Sequence, residues 1–353
     1  MPAKTNIFIH DCIDPPRLEK LRALPDTRID VIECDDEDED WHLPDDRAAE
    51  THLLVSCAAP DNLDAMTSLR MLQISSVGFG QLIGLGLAER GILACNASGV
   101  FDVPIAEWNI AMMINLVRDV PGMVRNQQSQ SFDRDARFQN ELSGRIAGMW
   151  GYGGIGRETA RLAKALNLTV YAMTRDGVKP RTDVYCVPGH GDPEGTLPDE
   201  VFVPGQEREF LEQLDFLIMA IPLSPATEGL VGDEFLQMLP SRAYVLNPAR
   251  GPLIREESLL RALRENWIAG AALDTHYYYP LPPEHPLWHF PNVIITPHVS
   301  GSNLSPHFKT RLWDIIVGNG RRFIAGEPLM NQLTANQLAG QCVDRCGVDR
   351  HSF

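Results

Sequence analysis

The chain has 353 residues, 44% of them hydrophobic and 22% charged, and a formal net charge of −16. That length fits two domains, each large enough for its own core, and the composition is ordinary for a soluble globular protein. A chain this acidic is repelled by nucleic acid and by anionic membranes, which argues against both as main partners. Much of the excess lies in one run at residues 33–40, with Asp45 and Asp46 just beyond. It reads as a solvated loop, because a metal site would need ligands converging from elsewhere. The seven cysteines (Cys12, Cys34, Cys57, Cys95, Cys186, Cys342 and Cys346) are scattered and odd in number, and Cys342 and Cys346 lack zinc-site spacing. Reduced thiols and no metal centre are expected. The N-terminus carries no apolar leader, and no stretch reaches the ~20 apolar residues of a membrane span, so a cytoplasmic address is expected.

Short apolar runs open the chain at Asn6-Ile7-Phe8-Ile9, then at residues 28–32, 52–56, 71–75 and 92–95. Segments 16–24 and 83–89 between them read as helices. The alternation predicts a parallel sheet covered by helices. Pro104 suits the first turn of a long helix through Val117. Next comes an apolar run at 145–150, the turn Gly151-Tyr152-Gly153-Gly154-Ile155-Gly156, and a helical pattern from Arg157 to Leu166. This spacing suits a dinucleotide pyrophosphate. Gly151 allows a tight turn out of the strand, Gly153 lets backbone approach phosphate, and Gly156 lets helix pack on sheet. The helix N-terminus then offers free N–H groups and a partial positive charge. Gly151, Gly153, Gly154, Ile155, Gly156 and Arg157 are therefore the candidate cofactor-binding residues, and a strand at 168–173 closes the βαβ unit.

The segment 177–205 breaks the rhythm, with five Gly, five Pro and no periodicity. A structureless excursion of that length inside a domain is unusual. It follows a strand expected to end near the adenine ribose, so it reads either as a cover for the cofactor or as a surface excursion. Beyond it, residues 216–221, 243–246, 269–273 and 293–296 read as buried strands, with helices at 207–213 and 255–265 between them. A last helix is expected at about 305–324, then a polar tail.

The motifs after the turn come in a recognisable order. Ala220-Ile221-Pro222-Leu223-Ser224-Pro225-Ala226-Thr227 precedes Leu246-Asn247-Pro248-Ala249-Arg250-Gly251. Gly270-Ala271-Ala272-Leu273-Asp274, Pro286-Leu287-Trp288 and Ile295-Thr296-Pro297-His298 follow. This order resembles the D-isomer-specific 2-hydroxyacid dehydrogenase family, from about residue 50 to 330. The resemblance implies an α/β fold of two doubly wound parallel-sheet lobes: a flavodoxin-like substrate domain (residues 1–103 and 300–353) with an inserted Rossmann domain (104–299). It also implies an active site in the cleft between lobes and a homodimer. The implied reaction is hydride transfer between a nicotinamide cofactor, NAD(P), and a small 2-keto or 2-hydroxy acid of the glyoxylate or hydroxypyruvate class.

Such chemistry needs a cation on the substrate carboxylate and a proton donor to the developing alkoxide. Arg250 matches the family's arginine, and its planar fork can grip two oxygens at once. His298 matches the family's general acid/base, with an unperturbed pKa of about 6.5. Val77 and Gly78 match the loop whose N–H groups hold the substrate carboxylate, although Gly80 stands where that loop usually carries Asp. Pro222, Thr227 and Asp274 fall on positions that flank the cofactor. The third catalytic position departs from the pattern. In Asp274-Thr275-His276-Tyr277-Tyr278-Tyr279-Pro280, Tyr279 stands where the family carries the Glu that pairs with the histidine. A neutral phenol cannot raise the pKa of His298 as a carboxylate would, and Glu107 is the candidate substitute. Thr174-Arg175 follows the second strand where an NAD-preferring domain has Asp or Glu, so NADP(H) is favoured over NAD(H). The competing reading is a cofactor-sensing, corepressor-like protein with weak or no catalysis.

Overall fold

The computed structural model describes residues 4–34 and 41–340. Most of the acidic run (35–40), Cys342, Cys346 and the polar tail lie outside the described residues. In chain order the elements are β1 (Thr5–Asp11), α1 (Pro15–Arg22), β2 (Thr27–Glu33), α2 (Asp45–Ala48), β3 (Leu53–Ser56), β4 (Met71–Ile74) and β5 (Leu93–Cys95). Then come α3 (Asp102–Val117), α4 (Val120–Gln128), β6 (Ile146–Trp150), α5 (Gly154–Ala165), β7 (Thr169–Met173), β8 (Glu200–Phe202) and α6 (Glu207–Leu211). The chain closes with β9 (Phe216–Met219), α7 (Asp233–Met238), β10 (Tyr244–Asn247), α8 (Glu256–Arg264), β11 (Gly270–Leu273), β12 (Val293–Ile295), α9 (Pro306–Ala325) and α10 (Ala335–Leu338). Two compact units result. One holds the described chain up to Val100, Thr182–Val187 and the described chain from Asn303. The other holds Phe101–Arg181 and Pro188–Ser302.

The first unit is a parallel sheet in the order β2-β1-β3-β4-β5. Ile7, Ile9, Leu54, Leu72 and Ile74 are fully buried, as expected of strands covered on both faces. Helix α9 starts at the Ser305 cap, whose hydroxyl accepts from His307 N, and buries Trp313 completely. The expected helix at 83–89 does not form. Gly84 (φ 82°) and Gly86 (φ 65°) take left-handed conformations there, and a right-handed helix cannot pass through them.

The second unit is a parallel sheet in the order β12-β11-β10-β9-β6-β7-β8. From β6 the chain runs outward to β7 and β8, then returns to the far side of β6 at β9. Ligands of such sheets sit at this switch point, beyond the carboxyl ends of the strands. Trp150, large for a buried central strand, is accommodated because Gly148 lies on the same face. A Cβ at 148 would stand 2.5 Å from Leu214 Cδ1, and the vacated space admits Phe210 and Leu214. Trp150 then meets Phe210 and Phe235 edge-on, with centroids 5.9 and 5.5 Å apart.

The excursion at 177–205 is not structureless throughout. Residues 200–202 pair with β7 as the edge strand β8, too short to register as an apolar run. Thr182–Val187 belongs to the first unit. There Asp183 O accepts from Asn331 N (2.9 Å) and the Asp183 carboxylate meets Arg322 (2.7 Å). Tyr185 N donates to Asn331 Oδ1 (3.0 Å).

Candidate active site

The turn after β6 has its shape because three positions lack a Cβ. Gly151 has φ 103°, and a side chain there would strike the carbonyl of Ala220 at the end of β9. A Cβ at Gly156 would strike the carbonyl of Gly151, so helix and turn pack at backbone distance. Gly153 caps α5 with open space around it and, lacking a side chain, makes no cap bond of its own. Gly154 abuts the carboxylate of Asp102, which would have to shift to admit a Cβ. Ile155 is half-buried in the first turn. Arg157 is buried, 5% exposed, and donates to the carbonyls of Tyr152 (3.1 Å), Asp192 and Lys179 (2.5 Å). The structure therefore directs Arg157 at protein carbonyls rather than into the turn's opening.

At the end of β7, Thr174 N donates to Phe202 O (3.0 Å), while its Oγ1 is buried and has no hydrogen-bond partner. Arg175 is exposed, with its side chain 84% accessible and 3.6 Å from the Asp176 carboxylate. Thr227 uses its hydroxyl to build its own loop, donating to Pro222 O (2.7 Å) and accepting from Ser224 N (2.7 Å).

A second cluster forms beyond β10, β11 and β12. Asn247 is 1% exposed; its Oδ1 accepts from Ala249 N (3.1 Å) and Arg250 N (3.2 Å), and its Nδ2 donates to Arg250 O (2.8 Å). This side-chain turn fixes the backbone from which Arg250 projects. Gly251 follows because a Cβ there would lie 2.6 Å from the His276 carbonyl. The Arg250 turn and the 274–279 segment are thus pressed together.

Asp274 is 0% exposed. One oxygen accepts from Thr296 Oγ1 (2.5 Å) and Val299 N (2.9 Å), the other from Ser300 N (2.9 Å). Expected to flank the cofactor, Asp274 instead spends its carboxylate on the loop that carries His298. That loop is strained, with His298 at φ 57°. Trp108 Nε1 supports it by donating to Thr296 Oγ1 (3.2 Å), and the His276 imidazole bonds Thr296 O through Nε2 (2.8 Å).

The Tyr279 ring lies 5.7 Å from the His298 ring at 52°, and its hydroxyl accepts from His276 N (3.2 Å). Burial pushes the phenol up, so it is neutral near pH 7. Nδ1 of His298 is buried without a hydrogen-bond partner. The pKa of His298 is lowered by burial first, then by the positive charge of Arg250, with Asp274 opposing and His276 adding to the depression. Glu107 is exposed on α3 while its neighbours Trp108 and Asn109 are buried.

In the first unit, Asn96 Nδ2 donates to Val77 O (2.7 Å) and Ser76 Oγ to Gly78 O (2.7 Å). Because the two ends of a trans peptide point opposite ways, the Gly78 N–H faces away from Asn96. Gln81 steadies the loop by donating to Ser76 Oγ (2.8 Å).

Trp108, Asn96 and Asp192 carried no sequence signal; Tyr152, His276 and Asn247 sat inside recognisable motifs, but nothing in those motifs marked their roles. Among the described residues no group of His, Cys, Asp and Glu is placed to hold a metal ion, and no helix is long and apolar enough to cross a membrane.

The chain matches the family model for the NAD-binding domain of D-isomer specific 2-hydroxyacid dehydrogenases over residues 110–300. It is 27% identical to a glyoxylate reductase of Thermofilum pendens over 88% of this chain and 92% of that protein. A hydroxypyruvate reductase of Blautia hydrogenotrophica is 29% identical over 74% and 78%. Among solved structures, a D-isomer specific 2-hydroxyacid dehydrogenase family protein of Aeromonas salmonicida superimposes with a TM-score of 0.72. It is 25% identical, and the match covers 94% of this chain and 99% of that one.

Proposed function

The chain belongs to the D-isomer specific 2-hydroxyacid dehydrogenase family and is an NAD(P)-dependent oxidoreductase; we propose that it reduces a small 2-keto acid of the glyoxylate or hydroxypyruvate class. The observation that carries this reading is the cluster beyond β10, β11 and β12, where the charge of Arg250 reaches a half-buried His298 held in register by Asp274.

The residues around the turn fit a dinucleotide. Open space at Gly153 and the forced bareness of Gly151 and Gly156 leave the start of α5 open to a phosphate. When bound, the reduced nicotinamide supplies the hydride. The buried, unpartnered Thr174 hydroxyl and exposed Arg175 favour a 2′-phosphorylated ribose, which supports NADP(H) over NAD(H).

On the protein side, the Arg250 fork grips a carboxylate oxygen and the keto oxygen, drawing electron density toward the latter. Backbone N–H groups at Val77 and Gly78 take the substrate carboxylate. His298 in its protonated form donates to the developing alkoxide, and Tyr279 walls the imidazole with a neutral ring. Because burial and Arg250 depress His298, the imidazolium is scarce above its ordinary value, and reduction slows as pH rises.

Dinucleotide binding without turnover is the competing reading, motivated by the missing carboxylate at Tyr279. The test is nicotinamide absorbance with glyoxylate, hydroxypyruvate and larger keto acids, using NADPH and NADH in turn. Turnover of the small acids with a higher kcat/KM for NADPH is expected. Tight binding with no turnover on any acid would overturn the enzymatic assignment, and a clear NADH preference would overturn the cofactor assignment.

A further inference from the structure

Tyr152, the variable residue between the first two glycines of the turn, is only 6% exposed. Its hydroxyl donates to the Asp192 carboxylate (2.8 Å), and the Arg157 guanidinium lies 5.1 Å above its ring. Arg157 Nε donates to Tyr152 O (3.1 Å), and its remaining nitrogens reach carbonyls of Lys179, Asp192 and Pro193. Asp192 is itself saturated, accepting from Gly195 N (3.1 Å), Thr196 N (3.0 Å) and Leu197 N (3.0 Å). One residue further along α5, the Glu158 carboxylate accepts from Gly191 N and is held by both arms of Arg161 (2.8 and 2.6 Å). The stretches 178–181 and 191–197 are therefore fastened to the first turn of the cofactor helix by charged side chains.

The geometry of one peptide gives this fastening a consequence. Arg157 holds the carbonyl of the Tyr152–Gly153 peptide from the protein side. The N–H of the same planar unit, on Gly153, must then point the opposite way, toward the exposed face at the start of α5. That N–H is one of the donors a pyrophosphate oxygen would use at a helix N-terminus.

We infer that Arg157, braced by Asp192 and the 178–197 excursion, is a positioning residue that presets the Gly153 N–H for the dinucleotide pyrophosphate. The inference rests on the dinucleotide reading above. It makes the excursion part of the cofactor site without contact with the cofactor, because its carbonyls and Asp192 keep a buried guanidinium satisfied and aimed at the turn. Binding and loop order are then coupled: dinucleotide stabilises the fastened loop, and the fastened loop favours dinucleotide.

The experiment measures NADPH binding to the full chain by fluorescence titration, alongside steady-state kinetics and thermal melting. Arg157→Met is expected to weaken NADPH by about tenfold or more, with kcat at saturating NADPH within about twofold. Arg157→Lys, which keeps the charge but loses the fork, is expected to recover part of the affinity. Tyr152→Phe and Asp192→Asn each alter one brace and should weaken NADPH by about two- to fivefold. They carry the test if Arg157→Met does not fold. NADPH should also slow proteolysis within 178–197 in the wild type, and less so in Asp192→Asn. Wild-type affinity in folded Arg157→Met, or in both brace variants, would overturn the positioning role while leaving the dinucleotide reading intact. A wild-type chain that binds no dinucleotide would overturn both. A lowered melting temperature with unchanged affinity would assign Arg157 to structure alone.

Discussion

The dinucleotide turn and the corner that carries His298 lie at the carboxyl edge of the same sheet, yet the first is shaped by absent side chains and the second by one buried carboxylate. At the turn, Gly151 and Gly156 allow backbone to touch backbone, and any Cβ would collide. At the corner, Asp274 gathers the Thr296 hydroxyl and two backbone N–H groups and holds His298 at a strained φ. Steric construction tolerates no substitution but needs no charge. Polar construction depends on every partner being in place, because a buried acceptor or donor left alone costs about 1–3 kcal/mol.

The sharpest way to separate the two regions is to remove the imidazole. His298→Gln is expected to lower kcat for keto-acid reduction by about 10²–10⁴-fold, with NADPH affinity within about twofold. Steady-state kinetics beside a binding titration checks it, and equal losses in both would erase the division. The complementary break is Gly151→Ala, which meets both the positive φ and the Ala220 carbonyl. It should cost about 2–3 kcal/mol of stability, read as a lower melting temperature, and should weaken NADPH before it changes the pH profile.

Restoring a carboxylate by Tyr279→Glu tests the corner alone. The wild-type His298 titrates below its ordinary 6.5, and the proposed reduction draws its proton from this ring, so activity is expected to fall as pH rises through that depressed value. A glutamate beside the ring should raise the value and carry the falling limb of kcat/KM upward with it. An unmoved limb would show that Tyr279 does not face the ring in the working enzyme. The smallest effect is expected at Arg175→Ala. Its guanidinium is solvent-exposed and screened, so the NADPH-over-NADH ratio of kcat/KM should fall only about three- to tenfold.

What could be read from sequence divides along the same line. Glycines forced by sterics leave letters at fixed spacing, so the turn stood out without coordinates, and buried parallel strands announced themselves as apolar runs. The helix expected at 83–89 failed where Gly84 and Gly86 turn left-handed, a choice their letters permit but do not impose. Strand β8 was hidden by its three-residue length. Asp274 stood in a motif, but its task depended on which N–H groups the fold would bring to it. His276, Trp108 and Asp192 act across 20, 188 and 40 residues of chain, and no local pattern encodes such partners.

The path of α9 bears on how the molecule is made. Its Asn319 donates to Gln73 (2.8 Å) across a separation of 246 residues, and its Trp313 donates to the carbonyl of Cys12 (2.8 Å) across 301. The first sheet thus leaves the ribosome early but meets its covering helix only after every strand of the second sheet has been synthesised. Vectorial synthesis favours completing the second unit first, while strands β1 to β5 wait with one face open. A chain stopped near residue 300 would therefore keep the whole dinucleotide sheet and strand the first sheet without its cover, so truncation should damage the N-terminal unit rather than the residues nearest the cut.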